Sequence, residues 1–214
     1  MSALDAGSFF DAIARRYDRT FAPDAVATAK DLSPFLALLA ASTPSSERVA
    51  LDLGCGTGRA WPHLIGAGLR VIGLDASASM LAEASKRVSA AEVTCLCADL
   101  YARWPIEDRS IDVVIALHSV LAHPPGEPRG CWREVGREVR RVCRPGALIA
   151  IDLPEPSWAR RNLRPIGGER YVFRSDDGRE VVAVIPEPNE VIEALDLPLT
   201  KTPCLTGARA VGRL

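Results

Sequence analysis

Apolar positions along the chain fall into short runs separated by helical stripes. VALDL at 49–53, RVIGLD at 70–75, VTCLCAD at 93–99, IDVVIALH at 111–118 and ALIAID at 147–152 have the length and bounding turn residues of buried parallel strands. Between them the spacing predicts a helix over 58–67 and another over 77–89. The second is capped by Ser77 and carries Met80, Leu81, Ala84 and Val88 on one face. A further helix over 131–146 is expected to stop at Pro145-Gly146. Ahead of the first strand, 8–18 reads as an amphipathic helix with Phe9, Phe10, Ile13, Ala14 and Tyr17 on one side. Residues 24–41 read as a second helix, broken or kinked by Pro34. Strand and helix alternate at βαβ spacing, so the expected fold class is α/β, a doubly wound, mostly parallel sheet in a three-layer α/β/α arrangement.

The rhythm changes after Asp152. Residues 154–168 hold Pro154, Pro156, Pro165, Gly167 and Gly168 together with Arg160, Arg161 and Arg164. RYVFRS and EVVAVI flank Asp176-Asp177-Gly178, which predicts a β-hairpin. A helix follows over 187–196, then two strands over 198–204 and 208–213, the first weakened by Pro198 and Pro203.

A chain of 214 residues can bury about 70% of its unfolded surface, enough for a proper core. Lys plus Arg number 26 and Asp plus Glu 27, which argues against a broad phosphate-tracking surface and hence against a nucleic-acid partner. No apolar run reaches the roughly 18 residues of a membrane span. The first residues lack a basic segment followed by an apolar core, so a cytoplasmic protein is expected. Of the six cysteines none forms a CxxC pair, and His63, His118 and His123 do not complete a zinc set. The cysteines therefore read as buried reduced thiols, with no metal expected.

The most informative segment is Asp52-Leu-Gly-Cys-Gly-Thr-Gly58. Gly54, Gly56 and Gly58 follow a strand and open a helix, where positive φ and close backbone approach to a ligand are useful. The G-x-G-x-G spacing differs from the G-x-G-x-x-G of dinucleotide binders. Asp52, on the strand before the loop, would serve an amino-acid ammonium better than a pyrophosphate. Asp75, ending the next strand, sits where a carboxylate accepts from both hydroxyls of a ribose. Asp99, in Ala98-Asp99-Leu100, can accept from an exocyclic amine of adenine. The strand ends thus offer ammonium, ribose and adenine sites in a row.

DLGCGTGR, GLDAS…ML, AD, IDVVIALHSVLAH and EVRRVCRPGALI together resemble the class I S-adenosylmethionine-dependent methyltransferases over roughly residues 8–153. The resemblance implies a Rossmann-like seven-stranded sheet with an antiparallel last strand. It implies S-adenosylmethionine as methyl donor, S-adenosylhomocysteine as product, and no metal. It would place Gly54, Cys55 and Gly56 along the methionine part, Ala76 and Met80 beside the adenine, and Asp99 and Leu100 at the adenine's far edge. Leu117 and His118 would lie near the sulfonium, and Tyr17 would close over the methionine carboxylate. On this reading the chain is one domain: helices 1–45 form a lid, 46–153 the cofactor-binding core, 154–186 a hairpin insertion shaping the acceptor pocket, and 187–214 the last helix and closing strands.

The remaining candidates concern the acceptor, expected to be a small molecule. His118 and His123 are the candidate bases, since imidazole titrates near neutrality. Arg160, Arg161 and Arg164, with Arg170 and Arg174 nearby, could recognise an acidic acceptor. Trp158, Tyr171 and Phe173 interleave with them and read as core packing of the hairpin, or else as an apolar wall. A non-catalytic cofactor-binding partner subunit and a nucleotide-dependent oxidoreductase are the alternatives. The missing G-x-G-x-x-G and the presence of Asp52 count against the second.

Overall fold

The computed structural model describes residues 4–21, 32–37, 48–89, 91–204 and 207–214. The helices are α1 (Ala6–Phe21), α2 (32–37), α3 (Trp61–Gly66), α4 (Ala78–Ala84), α5 (Pro128–Val142), α6 (Pro156–Asn162) and α7 (Pro188–Leu195). The strands are β1 (Val49–Leu53), β2 (Arg70–Asp75), β3 (Val93–Cys97), β4 (Ile111–Ala116), β5 (Cys143–Pro154), β6 (Arg164–Gly167), β7 (Arg170–Arg174), β8 (Glu180–Val184), β9 (Leu199–Cys204) and β10 (Gly207–Arg213). A seven-stranded sheet runs β3-β2-β1-β4-β5-β10-β9. Its first five strands are parallel; β10 is antiparallel to both β5 and β9. The order reverses at β1 and β4, the switch point where open α/β sheets bind ligands.

Each face of the sheet carries its own core. Leu51, Leu53, Val114, Ile149 and Ile151 pack with Val135 and Val139 of α5 and Val191 and Leu195 of α7. Ala50, Val71, Val113 and Ile115 pack on the other face with Leu32, Phe35, Trp61 and Leu64. Central strands buried on both faces explain why their sequences read as continuous apolar runs rather than alternating ones. β3 is an edge strand, and there Cys95 and Cys97 are exposed. Only Cys55 and Cys143 are buried, so the expectation of buried thiols holds for those two alone; none of the six cysteines forms a disulfide among the described residues.

The elements differ from the sequence pattern mainly at their ends. α5 starts at Pro128 because the Glu127 side chain accepts from the amides of Arg129 and Gly130, satisfying donors the helix leaves open. It ends at Val142, before Pro145-Gly146, because Cys143 is already extended and enters β5. The register of β4 on β5 then jumps from Ile111–Cys143 to Val113–Leu148, so Pro145-Gly146 marks a strand irregularity and not a helix stop. Pro34 lies within α2; the rest of the predicted 24–41 helix lies outside the described residues. The insertion is larger than a hairpin. It comprises α6 and a three-stranded antiparallel sheet, β6-β7-β8.

Helix α1 joins the two sheets. Phe9, Ile13 and Ala14 pack against Met80 of α4 and Val181 of β8. The amide of Leu4 donates to the Glu180 carbonyl at 2.9 Å. The N-terminal helix therefore sits across the tips of the parallel strands. No helix among the described residues is long and apolar enough to cross a membrane.

Candidate functional site

A cavity of about 660 Å³ opens at the carboxyl ends of β1, β2, β3 and β4, beneath α1 and beside β8. That lies within the range of about 300–1,000 Å³ common to small-molecule sites. Tyr17, Gly54, Cys55, Gly56, Asp75, Ala76, Met80, Asp99, Leu100, Leu117, His118 and His123 all line it, so residues from five separate stretches of sequence meet in one pocket.

The loop after β1 is built for close approach. Gly54 and Gly56 have φ of +58° and +54°. A Cβ on Gly54 would lie 2.5 Å from a Val120 methyl, whereas beside Gly56 there is open space. Gly56 is thus the point where a ligand can touch backbone. Its amide donates to Asp75 Oδ2 at 2.8 Å, and the Ser77 amide donates to Asp75 Oδ1 at 2.8 Å. One carboxylate ties the tips of β1 and β2 together, and each of its oxygens keeps a lone pair toward the cavity wall it forms. Burial pushes the Asp75 pKa up, and the two backbone amides pull against that. Asp99, more exposed, accepts from the Tyr101 amide at 2.9 Å.

Asp52 is a correction. It is 3% exposed and does not line the cavity; its Oδ2 accepts from Trp61 Nε1 at 3.1 Å, beneath the loop. Burial raises its pKa to about 8, so near neutrality it is largely a neutral acid. The side chain of a central-strand residue alternates faces, and here the pleat turns Asp52 into the layer that holds α3. Gly58 also lies off the cavity: a Cβ there would meet Trp61 at 2.7 Å, so it serves packing. Ala98 does not line it either.

The wall after β4 is strained. His118 and Ser119 have φ of +61° and +67°, a left-handed conformation costing about 1–3 kcal/mol at each non-glycine residue. The His118 amide donates to Asp152 Oδ2 at 3.2 Å. His123 follows a 3-10 turn over Val120–Ala122. Its Nδ1 lies 2.8 Å from the Val182 carbonyl. A carbonyl only accepts, so Nδ1 carries the proton and Nε2 is the basic nitrogen of the neutral ring. Burial lowers the His123 pKa from its ordinary value, which keeps the ring neutral. The Phe10 ring meets it edge-on, centroids 5.6 Å apart.

Arg160, Arg161 and Arg164 do not reach this pocket. The first two are exposed on α6, and Arg164 pairs with Glu180 at 3.0 Å on the outside of β6. His63 is half-buried on α3, away from the lining. Tyr171 and Phe173 pack inside the protein, as do Ala159 and Ala183 beside them. The sequence reading missed Arg59, the lone Lys or Arg among the lining residues, close enough to Tyr17 and Asp52 for their charges to be felt. Its position directly after the glycine loop was the available signal. It also missed Val181 and Val182 of β8, for which no local signal exists. Among the described residues no cluster of His, Cys, Asp or Glu could hold a metal ion.

Comparison with known proteins agrees with this geometry. Residues 50–146 match the family described as a methyltransferase domain. A demethylmenaquinone methyltransferase of Beutenbergia cavernae is 32% identical over 160 residues, 72% of this chain and 60% of that protein. The chain thus spans about 60% of that relative's length. The structure of a DhpI-SAM-HEP complex is 25% identical with a TM-score of 0.68, covering 99% of this chain and 100% of that one. A DhpI-SAH complex is 25% identical with a TM-score of 0.64, covering 96% and 94%. The resemblance drawn from the motifs stands, as does the Rossmann-like seven-stranded sheet with its antiparallel last strand, β10.

Proposed function

Starting from residues 50–146 as a methyltransferase domain of the class I, Rossmann-like type, we propose that the chain transfers a methyl group from S-adenosylmethionine to a small-molecule acceptor. The observation that carries this reading is the Asp75 carboxylate. It joins the open Gly56 backbone to the tip of β2 and faces the same cavity as Asp99, Met80 and Tyr17.

Asp75 takes the ribose hydroxyls. Ala76, Met80 and Leu100 hold the adenine, with Asp99 at its amine edge. The Gly54–Gly56 backbone and Tyr17 take the amino-acid end, and Arg59 faces the same region. The donor supplies a methyl group already activated by its sulfonium. The protein's part is to align the acceptor in line with the breaking carbon–sulfur bond and to exclude water. The acceptor's lone pair forms the new bond to the methyl carbon, and the pair of the breaking bond stays on sulfur.

For a hydroxyl acceptor a base is needed, and His123 is better arranged for it than His118. Its hydrogen bond to Val182 fixes the tautomer that leaves Nε2 free of a proton. The pocket wall near His118 and His123 is formed by Phe10, Val120, Pro124, Pro125 and Val182. That lining supports a compact, weakly polar acceptor over an acidic one held by Arg160, Arg161 and Arg164.

Calorimetric titration with S-adenosylmethionine, S-adenosylhomocysteine and NADH is the first test. Binding of both sulfur nucleosides without NADH is expected, and the reverse would replace this reading with an oxidoreductase. Turnover of a labelled methyl donor against a panel of small hydroxyl, amine and thiol acceptors then tests catalysis. Tight donor binding with no transfer to any extract metabolite would leave a partner subunit.

A further inference from the structure

Asp152 and Arg209 form a buried ion pair that no part of the proposed reaction uses. Asp152 is 2% exposed and Arg209 5%. They lie directly opposite each other in the antiparallel register of β5 and β10. Arg209 Nε donates to Asp152 Oδ1 at 2.6 Å and a terminal nitrogen donates to Oδ2 at 3.1 Å, a two-point fork. Neither residue lines the cavity. A carboxylate and a guanidinium buried in the sheet are costly, and such pairs often add no stability over apolar packing.

Asp152 also makes a contact that leads to the pocket. Its Oδ2 accepts the His118 amide at 3.2 Å. His118 and Ser119 are the two consecutive left-handed residues that bend the chain away from β4, and Leu117, His118, Ser119 and Val120 all line the cavity. A turn of non-glycine residues in this conformation persists only where its surroundings over-determine it. The buried fork holds the carboxylate in one orientation, and the carboxylate holds the amide.

We propose that Asp152 and Arg209 are positioning residues: the β5–β10 ion pair clamps the His118 amide and so sets the wall against which the acceptor meets the methyl group. The closing antiparallel strand β10 thereby acts on the chemistry from outside the pocket. Cofactor contacts on β1, β2 and β3 do not pass through this clamp, so donor binding and turnover separate when it is broken. The turnover arm of the test rests on the methyl-transfer reading above; the exchange arm does not.

The experiment compares Asp152→Asn, Arg209→Met and Arg209→Lys with the parent chain. The readouts are S-adenosylhomocysteine affinity, turnover of the acceptor found in the panel, and hydrogen exchange of the His118 amide. The expected result is a loss of about tenfold or more in turnover for Asp152→Asn and Arg209→Met, with cofactor affinity changed by less than about threefold. His118 exchange should accelerate while the amides of β4 do not. Arg209→Lys, which keeps the charge and loses the fork, should fall between. Unchanged turnover and unchanged His118 exchange in folded variants would overturn the proposal. So would turnover, affinity and β4 protection falling together, the mark of a purely structural pair. If no variant folds, the parent chain decides: His118 protected like β4 supports the clamp, and His118 exchanging like an open loop rejects it. If no nucleoside binds, the methyl-transfer reading fails by itself, and the exchange data still judge the clamp.

Discussion

Trp61 Nε1 donates to Asp52 Oδ2 at 3.1 Å, and this contact seats a carboxyl under the glycine loop instead of in the pocket. The indole supplies one hydrogen bond, but burial outweighs it and raises the Asp52 pKa to about 8. In the unfolded chain the group ionises near its ordinary value of 3.8. Between these values the folded chain binds more protons, so stability falls as pH rises through the window from about 4 to 8. Asp52→Asn keeps the shape and removes the titration. The variant should gain stability relative to the parent as pH rises, by up to about 1.4 kcal/mol per pH unit, and level off above about 8. Urea unfolding at pH 5, 7 and 8 checks this; an equal difference at all three would mean Asp52 is ionised in the fold.

Asp75→Ala should weaken S-adenosylhomocysteine binding by about 1–3 kcal/mol, the scale of a lost buried acceptor. Part of that loss comes through Gly56, whose amide Asp75 holds. Asp75→Asn, which keeps one acceptor oxygen, should lose less. Unaltered affinity for Asp75→Ala, read by calorimetry, would remove the residue from the ribose role.

His123 has its pKa lowered by burial. Its neutral form is the folded form, so it contributes stability that is present above the ordinary value near 6.5 and lost as pH falls below it. The same neutral form is the proposed base. Turnover of a hydroxyl acceptor should therefore show an acid limb with a midpoint below about 6.5. His123→Ala should lose that limb and most of the rate while keeping S-adenosylhomocysteine affinity. A limb of the same midpoint in the variant would assign it to another group, with His118→Ala the next to measure.

Asp18 latches α1 over the pocket. Its Oδ1 accepts from Thr57 Oγ1 at 2.6 Å, and its other oxygen pairs with Arg87. Arg87 Nε also donates to the Thr57 carbonyl at 2.5 Å, so the latch joins α1, the glycine loop and the segment after α4. Asp18→Ala should speed S-adenosylhomocysteine dissociation by about threefold to tenfold, the effect of about one ordinary hydrogen bond. Stopped-flow displacement measures this. A rate equal to the parent's would show that α1 does not gate the nucleoside.

Much of the cavity lining was legible before the fold was known. Gly54, Gly56, Asp75 and Asp99 each stand at a strand end, and strand ends are visible as the points where apolar runs stop. Tyr17 was reached through the motif resemblance and does line the cavity. The acceptor side was not legible. Arg160, Arg161 and Arg164 cluster in sequence, but α6 and β6 turn them outward. Val182, which fixes the His123 tautomer, lies 59 residues away on β8. Asp152 and Arg209 were ordinary strand residues until the antiparallel register of β5 and β10 set them face to face.

Local pattern determined the parallel strands, the glycine turn and the carboxylates at their tips, because hydrophobic period and turn chemistry act within a few residues. The tertiary structure decided which of those carboxylates faces the cavity, which histidine nitrogen is left basic, and which arginine is buried. Those depend on pleat direction, strand register and the packing of an inserted sheet, which are set by contacts between segments far apart in the chain.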